Sequence, residues 1–371
     1  GPRPVDPAAL PAALAAHAGN IDLARAFATA TCRDDALGPG LPSLDDLAPL
    51  TAAGAFAAAR VPQLVRVGWL DANTVAGALA AYQLVDTPQR LVIGATSHGG
   101  LTLADPFRDP TQPAEPAIGD QLTETFTFLG APLAGAPATK EIRYQTLGEG
   151  TWRTTASWPP AGTTERTLYA AADGALAAAA PTVATAADTR PIDATATTGT
   201  RNRWLTPLDG GPIVYPDRAA ADATLLTYTS APVDADLRIT GDPRVALYVS
   251  TTAPAALFVY LEDVAPDGRV TYLTEGILDL AHRALAPAPY PGAPPTHSFR
   301  RAARQAVPID TPMTVELALA PTSVRVQAGH RIRLAIAGAD RDTFGAPVAA
   351  DARLTIGRDA ARPSRLVLPI A

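Results

Sequence analysis

The 371-residue chain has one cysteine, Cys32, one methionine, Met313, and one lysine, Lys140. A single thiol excludes an internal disulfide and a cluster of thiolates around a metal. Charged residues make up 18% of the chain, below the usual quarter, and the net charge is −6. Without a basic patch there is no electrostatic footprint for nucleic acid, so none is expected as a partner. No apolar run reaches the roughly 18 residues that a spanning helix needs, so no membrane span is predicted. The chain also lacks Gly-x-Ser-x-Gly, the tight strand-to-helix turn that exposes a nucleophilic serine. It opens on Gly1-Pro2-Arg3-Pro4, with neither an initiator Met nor an apolar targeting segment. This is the start expected of a processed fragment or a cloning remnant, in a chain beginning within a longer protein.

What is present is ample apolar material, 47% of residues, enough for two or three domains at this length. Residues 1–60 read as short helices. Asp6-Pro7 is a helix start, and Leu10, Leu14 and Ala15 follow at helical spacing. Asn20 to Thr31 repeats the pattern with Ile21, Ala24 and Phe27, and residues 33–50 read as loop. This is too little for a core and suits a cap fragment laid over something else. Residues 61–137 alternate strand and helix, the pattern of a parallel sheet. The strands are Val61–Val67 and Arg90–Ile93. A helix over Asn73–Leu84 has Val75, Leu79 and Tyr82 in phase, and a last helix over Gln121–Gly130 has Leu122, Phe126 and Leu129 in phase. Two strands leave a sheet with open edges, so the rest must come from elsewhere. Residues 138–371 read as all-β, with about ten short alternating runs from Glu141–Leu147 to Ala352–Ile356, separated by Gly, Pro and Asp turns. A β-sandwich or jelly roll is predicted there, with a long loop at Ala284–Pro295 and irregular chain over 172–200.

The chemistry sits at the ends of the two strands. Asp71 closes Val65-Arg66-Val67-Gly68-Trp69-Leu70-Asp71, and His98 follows Leu91-Val92-Ile93-Gly94-Ala95-Thr96-Ser97. An acid and then a base, on loops leaving successive parallel strands, is the second half of an α/β-hydrolase triad. Adjacent strands lie about 4.8 Å apart, so loops leaving the same edge can bring such groups within hydrogen-bond reach. Taken alone, Asp71 could equally cap the helix that follows it, and His98 in a Gly-rich turn could be idle. Ser97 falls one residue short of the nucleophile pattern and immediately precedes the base, which makes it a decoy.

Several stretches together carry a family resemblance. Gly68-Trp69-Leu70-Asp71, the His98 loop and Trp152…Ser157-Trp158-Pro159-Pro160 resemble the CocE/NonD hydrolases and the C-terminal domain of X-Pro dipeptidyl peptidases. So do Thr227-Tyr228-Thr229-Ser230-Ala231-Pro232, Leu273-Thr274-Glu275-Gly276-Ile277-Leu278 and Ala328-Gly329-His330-Arg331-Ile332-Arg333-Leu334. The resemblance implies an α/β-hydrolase domain, an inserted helical cap and a C-terminal jelly roll. It implies serine hydrolase activity on esters first, then amides or peptides, by acyl transfer to water and without a cofactor. Asp71 becomes the triad acid and His98 the base. The serine and the oxyanion-hole tyrosine belong to an N-terminal half that maps onto no residue here. A partner fragment carrying the serine, remaining associated after cleavage, is therefore expected. Two departures stand out: the tryptophan usual before the base is absent from Gly94-Ala95-Thr96-Ser97-His98, and Asn73 stands where an aromatic often follows the acid.

Trp69 and Asn73 are the candidate pocket residues, although Trp69 could equally pack beneath the loop. Trp152 and Trp158 are expected at the join between domains. His17, His282, His297 and His330 show no zinc-like spacing, so no metal is expected. Glu275 and Asp340 read as hydrogen-bonded structural carboxylates rather than a glycosidase pair. The competing reading is a non-catalytic jelly-roll module that binds carbohydrate or protein.

Overall fold

The computed structural model describes residues 6–133, 139–209, 211–345 and 348–371. The Gly1-Pro2-Arg3-Pro4 start and the expected 137/138 boundary lie outside the described residues. Asp6 accepts a hydrogen bond from the Ala8 N–H at 3.0 Å and leads through one 3-10 turn into α1 (Leu10–His17). Asp22 caps α2 (Leu23–Thr29), inside the limits that periodicity suggests. In the stretch read as loop, Ser43 and Asp46 form a reciprocal capping box that starts α3 (Leu44–Leu47). α4 (Ala53–Ala59) ends on Arg60 at φ 51°. These helices leave Leu10, Leu14, Phe27, Leu47 and Phe56 exposed, and Ile21, between the first two, is exposed as well.

Next come β1 (Gln63–Gly68), α5 (Thr74–Leu84), β2 (Gln89–Gly94), α6 (Ile118–Leu133), β3 (Glu141–Gln145) and β4 (Trp152–Thr155). They form a four-stranded sheet in the order β1-β2-β3-β4, with the first three strands parallel and β4 antiparallel to β3. Val75, Leu79 and Tyr82 of α5 are buried at the spacing read from the sequence, in one core with Leu91, Ile93 and Ile142. β3 is a correction, since its alternation grouped it with the all-β region. Its polar residues meet partners instead of water: Glu141 pairs with Arg90 at 2.7 Å, and Arg143 reaches Glu124 on α6 at 3.0 Å.

Glu124 is the hub beneath α6, joined also by Arg66 and Arg90. Burial pushes its carboxyl up, but the three guanidinium groups outweigh that and hold it below its ordinary value. The helix thus turns a charged side to the sheet. The predicted stripe Leu122, Phe126 and Leu129 forms, yet it stays exposed. β1 is the outer strand on that side.

The second sheet runs from Thr164 to Ile370 and contains 14 strands among the described residues. One end of it is the antiparallel set Val270–Asp279, Ala256–Val264 and Arg331–Ala337, where Leu257, Val259, Leu261, Ile332 and Leu334 are buried. Two strands were not foreseen within 172–200: Ala175–Ala177, and Ala187–Pro191, which pairs with Arg353–Asp359. Both are short and poor in β-branched apolar residues, so pairing rather than propensity makes them strands. The final strand Arg365–Ile370, also unforeseen, pairs with Thr164–Ala170 and Arg244–Thr251.

The sheets share one hydrophobic core. Trp158 joins them, its ring 5.7 Å from both Trp69 and Tyr144 and its Nε1 donating to Asp242 at 3.1 Å. Leu147 extends the join by exchanging backbone bonds with Ser323 and Arg325.

Candidate active site

In the parallel register, Gly68 of β1 lies beside Gly94 of β2. The chain therefore leaves both strands at one edge, with Asp71 three residues on and His98 four residues on. The Gly68 position requires a hydrogen in place of a side chain. A Cβ there would stand 1.9 Å from the Thr96 carbonyl oxygen, on the loop that leads to His98. Backbone cannot move aside as a flexible side-chain tip can. Gly68→Ala is expected to force the two strand ends apart and cost about 3 kcal/mol of stability, the upper range for overpacking. Urea denaturation measures it, and an unchanged midpoint would show that the strand ends have room to spare.

Several bonds shape the His98 loop. Thr96 bridges Leu103, Ser97 N–H donates to the Thr102 carbonyl at 3.1 Å, and Ala104 N–H donates to the Ala95 carbonyl at 2.9 Å. Gly99 and Gly100 turn the chain at φ 75° and 69°, a region that favours glycine. From α6, Gln121 Nε2 donates to the carbonyls of Gly100 and Pro116, at 2.9 and 2.8 Å. Gln145 ties both loops to β3: its amide oxygen accepts the Ala95 N–H at 3.1 Å, and its carbonyl accepts Trp69 Nε1–H at 2.7 Å.

The result is a close pair. His98 Nδ1 lies 3.0 Å from Asp71 Oδ1 and 3.2 Å from Oδ2. The Asp71 side chain is 9% exposed and that of His98 is 58% exposed. Nε2, the outer ring nitrogen, has no hydrogen-bond partner among the described residues. A carboxylate behind Nδ1 sets the tautomer in which Nδ1 carries the proton and Nε2 is free to accept one. Ser97 is not poised to give that proton, because it is buried and its Oγ is bonded to Thr102 Oγ1.

The other expected residues separate. Trp69 is 1% exposed and packs against Trp158, so it lies beneath the loop and does not line a pocket. Its indole N–H finds a partner in β3, and its bulk fills the join. Asn73 lines a cavity of about 270 Å³ with Trp204, Glu275 and Phe299, whereas Asp71 lines another, of about 170 Å³, with Thr96, Gly100, Gln121 and Trp152. Glu275 accepts from Trp204 Nε1 at 2.6 Å, and Asp340 accepts from Thr198 N at 3.1 Å and Oγ1 at 2.6 Å. Burial pushes the Glu275 carboxyl up. His282 faces the Thr31 carbonyl, His297 lies between the Ala284 and Glu316 carbonyls, and His330 pairs with Asp263 at 2.8 Å. Gln145 and Gln121 were not singled out in the sequence, since an isolated Gln in a strand or helix carries no local signal.

Comparison with known proteins follows the same lines. Residues 134–365 match the X-Pro dipeptidyl-peptidase C-terminal non-catalytic domain, so Asp71 and His98 lie outside the matched stretch. A Mycobacterium bovis protein named as a serine esterase is 36% identical over 96% of this chain. A CocE/NonD family hydrolase of Staphylococcus aureus superposes with a TM-score of 0.61 at 15% identity, over 84% of this chain and 54% of its own. The chain belongs to the CocE/NonD family of serine hydrolases. A solved α-amino acid ester hydrolase shares the fold as well, with a TM-score of 0.67 at 19% identity, over 84% of this chain and 56% of its own. The CocE/NonD chain described here spans about 60% of the length of its mycobacterial relative.

Proposed function

We propose that this chain supplies the acid and the base of a serine hydrolase, Asp71 and His98, to a nucleophilic serine on another segment. The contact that carries the reading is His98 Nδ1 to Asp71 at 3.0 Å, with Nε2 unpartnered among the described residues on an imidazole open to solvent. In this reading Nε2 takes the proton of the serine hydroxyl as it attacks a carbonyl. It then returns that proton to the leaving group, and water repeats the cycle on the acyl-serine. Asp71 stabilises the imidazolium that forms between the two transfers. Esters are the first substrate class, with amides and peptides next; the name of the mycobacterial relative supports the first.

The same reading assigns residues 1–60 to a cap, 61–137 together with β3 and β4 to the end of an α/β-hydrolase domain, and the second sheet, Thr164 to Ile370, to a jelly roll. The family model described as non-catalytic, matching 134–365, covers that second sheet except its last few residues. The exposed face of α6, with Leu122, Phe126 and Leu129, and the outer position of β1 support a further segment that completes the first sheet. That segment would carry the serine and stay bound as a partner fragment.

A fluorophosphonate probe tests the proposal. This chain alone is expected to remain unlabelled, whereas the chain together with its upstream segment labels at one serine of that segment. Labelling of Ser97, or of no serine in either preparation, would sink the reading and leave the binding-module alternative.

A further inference from the structure

Resting on that reading of the site, we infer that Arg203 is the positioning residue of the Asp71–His98 pair. The sequence from Thr198 to Thr206 shows no regular element before its last residue, yet Thr198, Asn202, Arg203 and Thr206 are buried. Asn202 and Arg203 are both 0% exposed. Asn202 Oδ1 accepts the N–H groups of Trp204 and Leu205, at 3.0 and 3.1 Å, and its Nδ2 donates to Thr198 Oγ1 and the Gly199 carbonyl. Thr198 is in turn held by Asp340. The backbone at Arg203 is therefore rigid, and its side chain points across the join into the Asp71 loop.

There the guanidinium grips both sides of the acid. Nη2 donates to the Trp69 carbonyl at 2.8 Å, and Nε donates to the Ala72 carbonyl. The Arg203 carbonyl accepts the Ala72 N–H at 2.8 Å. Ala72 sits at φ 45°, a left-handed conformation that a residue with a Cβ avoids unless its surroundings impose it. Both of its backbone polar groups end on Arg203. Asp71 lies between the gripped positions, so the direction of its carboxylate follows from the clasp.

The far side of the guanidinium is equally enclosed. Nη1 faces Tyr272 Oη and Thr274 Oγ1 at 3.4 Å, and the Tyr215 hydroxyl, whose ring stacks on Tyr272 at 3.8 Å, accepts the Arg203 N–H at 3.0 Å. A buried cation is costly unless its donors are spent on acceptors. Here they are, with the Glu275 carboxylate nearby. Arg203 lies inside the stretch matched by the domain described as non-catalytic. That domain would thus act on the reaction through a side chain that touches no reacting atom.

Lysine can keep the charge, but its ammonium cannot hold two carbonyls in the fork geometry of a guanidinium. In the protein carrying both this chain and the serine segment, Arg203→Lys is expected to lower kcat by about 10–100-fold, the scale of a misplacement near 1 Å. KM is expected to change less than about threefold, because no substrate contact is removed. Fluorophosphonate titration counts competent sites, so kcat is taken per titrated serine. The His98 Nδ1 proton resonance, identified by its loss in Asp71→Asn, should also shift or broaden. Arg203→Met is the harsher variant, and the lysine variant suffices if the methionine one does not fold. An unchanged kcat per titrated serine, with active wild type, would overturn the role of Arg203 and leave the acid–base reading standing. Unlabelled wild type, or full activity in His98→Ala, would overturn that reading and this inference with it.

Discussion

Under the proposed acid–base reading, replacing His98 by alanine is expected to lower kcat by about 10⁵–10⁶-fold in the protein that joins this chain to the proposed serine segment. The size follows from geometry. His98 Nε2 is the one exposed basic nitrogen backed by a buried carboxylate among the described residues at this strand edge, and Asp71 spends both of its oxygens on Nδ1. Without the ring, the serine keeps a proton that nothing nearby can accept at neutral pH, and the leaving group has no proton donor. Binding contacts are untouched, so KM should change little. Steady-state ester hydrolysis, at enzyme levels high enough to exclude a wild-type contaminant, reads the effect. A loss below tenfold would show that another group is the base.

Asp71→Asn is expected to cost about 10⁴-fold in kcat, with stability nearly unchanged. Both carboxylate oxygens lie close to Nδ1, at 3.0 and 3.2 Å. Asparagine sets a neutral –NH₂ and a neutral C=O where the two oxygens lay, so Nδ1 no longer faces acceptors alone. With the –NH₂ against the ring, Nδ1 becomes the acceptor and the ring proton moves to Nε2. The nitrogen that must receive the serine proton is then already protonated, and the imidazolium has lost its counter-charge. Pre-steady-state acylation with an activated ester separates this from a slower second step, since both half-reactions should slow. Unimpaired acylation would contradict the role given to Asp71. Together the two substitutions order the pair: the proton carrier matters more than the group that aims it.

The pair itself was legible before any fold was known. Two β-branched runs, each ending in glycine and followed within a few residues by an acid and by a base, with one amphipathic helix between, leave few alternatives. A parallel crossover returns the chain to the same edge. The observed register, Gly68 beside Gly94, is that expectation made concrete. The buried face of α5 was equally legible, because Val75, Leu79 and Tyr82 follow helical periodicity.

Other readings went astray or stayed open for identifiable reasons. β3 looked like an antiparallel strand because ion pairs with Arg90 and Glu124 imitate a solvent-facing alternation. The α6 stripe follows from periodicity, but its direction does not: Arg66, Arg90 and Arg143 draw the Glu124 side to the sheet and leave the stripe exposed. For Trp69 the sequence left pocket lining and packing beneath the loop both open, and the folded chain buries it beneath the loop. Its indole N–H meets a carbonyl 76 positions away, which no local pattern reveals.

Sequence alone determined the features that depend on neighbours along the chain: the helix start at Asp6, the turn glycines, the paired strand ends, and the acid and base that follow them. Caps, turns and side-chain periodicity are set within a few residues, so they can be read there. Tertiary structure alone decided which distant groups meet. Gln145 binding both loops, and Arg203 gripping a carbonyl 131 positions away, are such meetings. A buried donor must find an acceptor wherever the folded path brings one, and that path is a property of the whole molecule.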